Sequence, residues 1–309
     1  MDENTESMRE GIGEVLLELG DANPDIVVVG ADTTESLSLD KFGKKFPGRL
    51  FNVGIAEQNM IGVSAGLALY GKNVFCGTYT VFIERALDQI RNTLGYCRLN
   101  VKIIGSHTGI SVGPDGGSHQ AVEDIAIMRA IPNMRVVVPS DSYSAKALVR
   151  EISEIRGPFY LRLIRSKGPD LHKGQNVTLG KANVLRDGND IAIIACGIMV
   201  YEAVKAAEKL GKEGIQAMVI DCHTIKPIDE ETIVNAAEKT GRVVTAEDHN
   251  IYGGLGSAVA EVLSRRRPTP MGMVAVNDVF GESGKDTELM EKYGINENAI
   301  FKKAKEMMK

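Results

Sequence analysis

Tryptophan is absent, and phenylalanine and tyrosine number eight each in 309 residues. The core must therefore be largely aliphatic, and any two neighbouring aromatics stand out. Cysteine is scarce: Cys76, Cys97, Cys196 and Cys222 are the whole set. No two have metal-finger or redox spacing, and three lie among apolar residues, so they read as reduced core thiols of a cytoplasmic protein. A chain this long buries roughly 75% of its unfolded surface and needs no disulfide staples. Long hydrophobic runs are also missing. The apolar stretches are strand-sized, as in Ile191 to Cys196, and none spans a membrane. The N-terminal residues Met1 to Glu6 are acidic, and no apolar signal core follows them. Neither sign of charge dominates, with a net charge of −5 spread along the chain. That argues against nucleic acid or an anionic membrane as the main partner and leaves room for a local basic pocket for a phosphorylated metabolite. Internal repeats and low-complexity tracts are absent.

What is present is alternation. Met8, Ile12, Val15, Leu16 and Leu19 repeat at helical spacing, and Asp21 to Pro24 ends that helix. Ile26 to Val29 is β-branched and stops at Gly30, the pattern of a buried strand. Helices are expected near 57–70, 83–97, 121–130 and 142–155, and strands near 73–77, 101–105, 135–138 and 159–163. Continuous apolar strands alternating with helices predict an α/β fold, a parallel sheet with helices on both faces. Residues 166–180 lose periodicity and read as a linker between a domain over 1–165 and a second α/β unit over 181–309. Strands of that unit are expected at 191–196, 216–221, 242–246 and 273–276, and helices near 199–213, 229–240 and 254–266. In such sheets ligands sit beyond the carboxyl ends of the strands, where Asp32, the loop at His107 and Arg165 fall.

Glu57, in Gly54-Ile55-Ala56-Glu57-Gln58, begins an expected helix. A first-turn Glu is favoured by the helix dipole whatever its function. Its apolar neighbours Ile55 and Ala56 suggest partial burial, where desolvation makes a carboxylate a usable proton donor or acceptor near neutral pH. The stretch from Ser106 to Gln120 is rich in glycine and carries His107, Asp115 and His119. Its composition makes it a loop, and its spacing matches no helical zinc motif, so no metal site is expected on this chain. Tyr79 and Phe82 lie three apart, a spacing more often found in cores than against a ring-shaped ligand. Arg162 and Arg165 end the last strand of the first unit, and either could hold a phosphate bidentately. Glu247-Asp248-His249-Asn250 with Gly253, Gly254 and Gly256 lacks dinucleotide spacing and suits either an anion or partner loop or plain helix entry.

In order, Ala31-Asp32, Gly54 to Gln58, Tyr79-x-x-Phe82, Gly113 to Gln120 and Ala130 to Asn133 resemble the C-terminal half of transketolase, over nearly the whole chain. Deoxyxylulose-phosphate synthase is similar at Ala56-Glu57-Gln58 and Arg85 to Gln89. The beta subunits of 2-oxo acid dehydrogenases share the architecture without the Asp115 to His119 pattern. The resemblance implies a thiamine-diphosphate-enzyme pyrimidine-binding domain followed by a transketolase C-terminal-like domain. It implies that Glu57 bonds the aminopyrimidine ring nitrogen and that Phe82 and Tyr79 stack on the ring, with Asp32 and Ile55 in the same cofactor contact. Asp115, His107 and His119 would meet substrate hydroxyls or phosphate, and Arg9, Ser36, His107 and Arg165 the phosphate tail. Arg85 stands where long transketolases tend to have tyrosine, so that contact is not carried over. The family's Gly-Asp-Gly motif, which binds magnesium and the diphosphate, does not occur in this sequence. The resemblance therefore implies an N-terminal partner subunit carrying it, with Mg2+ on that partner, sugar-phosphate substrates and a heterotetramer with sites at subunit interfaces. A deoxyxylulose-phosphate synthase-like or specialised-sugar subunit, or a non-catalytic regulatory subunit, is the alternative.

Overall fold

The computed structural model describes residues 5–309, so the acidic start over residues 1–4 lies outside the described residues. A short strand, β1 (Thr5–Glu6), precedes the helix Met8–Ala22. Then come β2 (Ile26–Gly30), β3 (Leu50–Asn52), β4 (Asn73–Tyr79), β5 (Val101–Ser106), β6 (Arg135–Val137) and β7 (Phe159–Arg162). These six pair in parallel in the order β6-β7-β5-β4-β2-β3. Both faces are buried, which explains the uninterrupted apolar strands. In β2, Val27 and Val29 pack with Met60 and Ile61 on one side, while Ile26 and Val28 pack with Met8, Ile12, Leu16 and Leu148 on the other.

The strand β8 (Gly168–Pro169) pairs antiparallel with β1. The rest of the chain supplies β9 (Asn183–Arg186), β10 (Ile191–Ala195), β11 (Ala217–Asp221), β12 (Thr224–Lys226), β13 (Val243–Asn250) and β14 (Met271–Val276). A second, five-stranded sheet runs β14-β13-β10-β11-β9, with only β9 antiparallel. The strand β12 crosses back and adds an antiparallel edge beside β6, making the first sheet seven-stranded. One apolar cluster runs through both sheets, joining Val27 and Met128 to Ile194, Ile220 and Val259. Cys76, Cys196 and Cys222 are buried and Cys97 is exposed, all with free thiols. Among the described residues no helix is long and apolar enough to cross a membrane.

The alternation expected from the sequence is present, with local departures at three expected segments and several short or terminal elements that were not expected. The helix expected near 83–97 is broken into a turn of helix at Thr80–Ile83, a 3-10 turn at Glu84–Ala86 and a π-helical stretch at Ile90–Gly95. Ala86 lies at φ −99° and ψ 17°, outside the helical region. The helix expected from 121 begins only at Asp124, because Ala121 is bridged to Thr108 and its carbonyl accepts from Gly109 N at 2.7 Å. Residues 166–180 are irregular apart from β8 but not loose. His172 is fully buried, with Nδ1 3.2 Å from Asp141 Oδ2 and Nε2 3.2 Å from Asp221 Oδ2.

Candidate active site

Because the six strands of the first sheet run parallel, their carboxyl ends open on one edge. Tyr79 is the last residue of β4, and Phe82 follows in the short helix it starts. His107 follows β5 directly. The Tyr79 ring stacks on Phe82 at 5.6 Å and 13°, and on His107 at 3.8 Å and 22°. His119 comes edge-on to both, 5.3 Å from Phe82 and 6.4 Å from Tyr79. The sequence pairs Tyr79–Phe82 and His107–His119 thus form one aromatic group at the sheet edge.

The histidine loop is held from the second half of the chain. Asp248, near the end of β13, accepts from Ile110 N at 2.8 Å and from Ser111 N at 3.2 Å. Gly109 lies against that carboxylate at φ +72°, where an added Cβ would meet Asp248 Oδ2 at 2.2 Å. Only glycine fits both the conformation and the space. Further along, Gly117 packs on the Gly281 carbonyl, and Gln120 Nε2 donates to the Glu282 carbonyl at 3.0 Å. The backbone of the loop is therefore set by packing, and its histidines face the rings described above.

Beside the rings lies an anion-suited pocket. Arg9 and Arg165 line a cavity of about 390 Å3 with Ser111, Ser166, Lys167, Lys285 and one carboxylate, Asp286, which accepts from Ser166 Oγ at 3.0 Å. Arg9 donates to the Ser36 carbonyl at 2.7 Å and to the Arg165 carbonyl at 3.1 Å. Arg165 donates to the Val112 carbonyl at 2.9 Å and sits 3.6 Å from Asp115 Oδ2. Arg9, Ser36, Asp115 and Arg165 are thus linked, with Ser36 engaged through its backbone. The Arg9 Nε is buried and has no acceptor among the described residues. Burial, then the charges of Arg9 and Arg165, push His107 down to about 3. It is a neutral imidazole here, its Nδ1 3.0 Å from Ser106 Oγ.

Glu57 begins the helix Glu57–Leu69 and is only 6% exposed. Gln58 Nε2 reaches the Arg85 carbonyl at 3.2 Å, tying that helix to the segment following Phe82. Among the described residues no ion pair or hydrogen bond engages the Glu57 side chain. Its burial does not come from Ile55, as its apolar neighbour suggested, since Ile55 is 81% exposed. Asp32 is exposed at φ +66°, its N–H bonded to Asn52 Oδ1 at 3.1 Å, at the carboxyl end of β2.

Two readings of the sequence change. Arg162 does not face the pocket; it is buried, with Nε 2.8 Å from Asp124 Oδ2 and Nη2 donating to the Asp248 carbonyl at 2.9 Å. Tyr160 donates to the same Asp124 at 2.6 Å, so the arginine's charge is already matched. At the segment Glu247 to Gly256, Glu247 accepts from Leu255 N at 2.7 Å and Gly256 N at 2.8 Å, so the helix N-terminus is filled by the chain's own carboxylate and not left for an anion. Sequence reasoning missed Lys167 and Lys285, and it named Asp248 without its tie to the histidine loop. Asp248 ends an apolar strand, a placement that marks a site edge, but nothing local tied it to a loop 138 residues away.

Models of two families cover most of the chain: the transketolase pyrimidine-binding domain over residues 5–170 and the transketolase C-terminal domain over 180–300. A putative transketolase C-terminal section of Methanocaldococcus jannaschii is 48% identical over 98% of this chain and 96% of that protein. A 6-deoxy-6-sulfo-D-fructose transketolase subunit of a Clostridium species is 44% identical over 97% of this chain and 94% of that one. Among solved structures, a split-gene transketolase described as an inactive β4 tetramer superposes with a TM-score of 0.90 at 46% identity, covering 98% of each chain. This chain belongs to the transketolase family, and its pyrimidine-binding and C-terminal domains correspond to the C-terminal section of a divided transketolase.

Proposed function

We propose that this chain is the C-terminal subunit of a two-subunit transketolase that moves a two-carbon ketol unit from a ketose phosphate to an aldose phosphate. Family membership supports a transferase role. The observation that carries the finer reading is the joining of a flat aromatic group to an arginine pocket on one sheet edge. The residues fit an aminopyrimidine: stacked rings, and the carboxylate of the largely buried Glu57, which has no partner among the described residues. Thiamine diphosphate, when bound, would supply the carbanion chemistry. Glu57 would share a proton with the ring nitrogen, Tyr79 and Phe82 would cover the ring, and Asp32 and Ile55 would border it. Neutral His107, with His119 and Asp115, would meet substrate hydroxyls. Arg9 and Arg165 would grip the anionic tail, with Ser36 fixing Arg9 through its carbonyl.

The division into domains over 1–165 and 181–309 belongs to the same reading. So does a partner subunit with Gly-Asp-Gly, holding Mg2+ and the diphosphate, in a cytoplasmic heterotetramer. Two observations support the partner: the motif is absent from this sequence, and the related β4 tetramer is described as inactive. The sulfo-sugar relative favours a second reading, a specialised-sugar transketolase, since the same arginines suit a sulfonate as well as a phosphate. The test is ketol transfer by the purified chain, alone and with its partner subunit, thiamine diphosphate and Mg2+, using phosphorylated and sulfonated ketoses. Activity only in the mixture supports the proposal. Turnover by the chain alone refutes the divided site.

A further inference from the structure

At the opposite edge of the first sheet, beside the amino ends of β6 and β7, lies a cavity of about 620 Å3. Arg98, Arg135, Arg156 and Lys226 line it, and among the described residues no carboxylate does. They converge from separate places: the turn before β5, the start of β6, the turn before β7 and the end of β12. Among the described residues none of these cations is ion-paired.

The cations are held in place. The Arg135 guanidinium lies 4.7 Å over the Phe159 ring, and its Nη1 donates to the Arg156 carbonyl at 3.1 Å. Lys226 Nζ donates to the carbonyls of Arg129 at 2.8 Å and Ile131 at 2.7 Å. Behind the wall, Lys102 is fully buried, 5.6 Å from the same Phe159 ring, and donates to the Ile155 carbonyl at 3.0 Å. Burial, then the nearby charges of Arg135 and Arg156, push Lys102 down to about 7. Positive charge is thus gathered here without a protein counter-charge, and an anion would relieve it.

We propose that this cavity binds a small molecule carrying two or more phosphate groups. Its volume falls in the range of ligand sites, roughly 300–1,000 Å3. Guanidinium forks match phosphate oxygens in pairs, and a fixed ammonium adds a point charge. Pro227 offers an exposed apolar contact for the rest of the molecule, backed by the buried Met134 and Pro158. The site is separate from the candidate active site: Phe159 borders it at one end of β7, and the active-site edge begins beyond Arg162 at the other.

Calorimetric titration of the purified chain at constant ionic strength tests this, with inorganic phosphate, pyrophosphate and tripolyphosphate as probes. The background variant Arg9→Ala/Arg165→Ala takes both guanidinium groups out of the other anion pocket. One saturable site is expected, at least tenfold tighter for pyrophosphate than for phosphate and tighter again for tripolyphosphate. The double variant Arg98→Ala/Arg156→Ala, at two exposed positions, should weaken pyrophosphate tenfold or more with its circular dichroism unchanged. Arg156→Lys, which keeps the charge without the fork, should narrow the preference for pyrophosphate over phosphate. Comparing ADP with a hexose bisphosphate distinguishes a linear diphosphate from two separate phosphates. No saturable binding, or binding unchanged in the double variant, would overturn the proposal.

Discussion

Glu57 is almost wholly buried at a helix start, and among the described residues nothing engages its carboxylate. Neither oxygen is among the fully buried polar atoms that lack a partner, so the carboxylate keeps a path to solvent and is open to a ligand's ring nitrogen. Glu57→Gln keeps the shape and removes the proton exchange. In the assembled enzyme it should lower kcat roughly a hundred- to ten-thousand-fold, the usual range for general acid–base groups, with the fold unchanged by circular dichroism. His107 makes a different prediction. Its folded pKa of about 3 lies below the ordinary histidine value, so the unfolded chain binds the extra proton first. Stability from this group is therefore present above about pH 6.5 and is lost as pH falls toward 3. Its imidazole resonances should remain those of the neutral ring down to pH 5; a midpoint near 6.5 would contradict the burial and the two arginines. His172 runs the other way. Burial opposes its charge, but Asp141 and Asp221 outweigh that and push it up to about 9. It should stabilise fully below about pH 6.5 and lose that contribution as pH rises through 9. Thermal melts of the native chain and His172→Gln should therefore differ at pH 6 and converge near pH 10.

At the scale of elements, the histidine loop depends on a strand far away in sequence. Asp248→Ala would leave the N–H groups of Ile110 and Ser111 without their charged acceptor. Each such bond contributes about 1.5–3 kcal/mol. The variant should melt earlier, and the Tyr79–His107 stack should loosen, visible as lost protection of the loop amides in hydrogen exchange. An unchanged melting temperature would show that the loop holds itself. This element was half legible in the sequence. The glycines of residues 106–120, with His107, Asp115 and His119, announced a loop at a strand end, and Tyr79 with Phe82 announced rings nearby. The support was not legible, because Asp248 and Gly281 act through long-range packing that local patterns do not encode. For the same reason β2 could be read from an unbroken apolar run, and β4 and β5 from largely apolar ones, β5 interrupted by Lys102. Strands β3, β9 and β12, short or at edges, carry no such run. The helices Asp286–Lys292 and Glu297–Met307 were not expected either.

For the whole molecule, the two sheets share one apolar cluster, and β12 from the second half completes the first sheet. The C-terminal domain is thus part of the frame that sets the histidine loop, and its Lys285 lines the arginine pocket. What the whole chain lacks is equally specific: its sequence has no Gly-Asp-Gly. A diphosphate needs its charge neutralised, and the account assigns that task and the metal to a second subunit. The most direct measurement is calorimetric titration of thiamine diphosphate, with Mg2+ present, into the chain alone, into the partner alone and into their mixture. The account predicts saturable binding with full stoichiometry in the mixture, little or none by this chain alone, and weakened binding in a mixture made with Glu57→Ala. Tight binding by the isolated chain, or a Glu57→Ala mixture that binds and turns over like the native one, would contradict it.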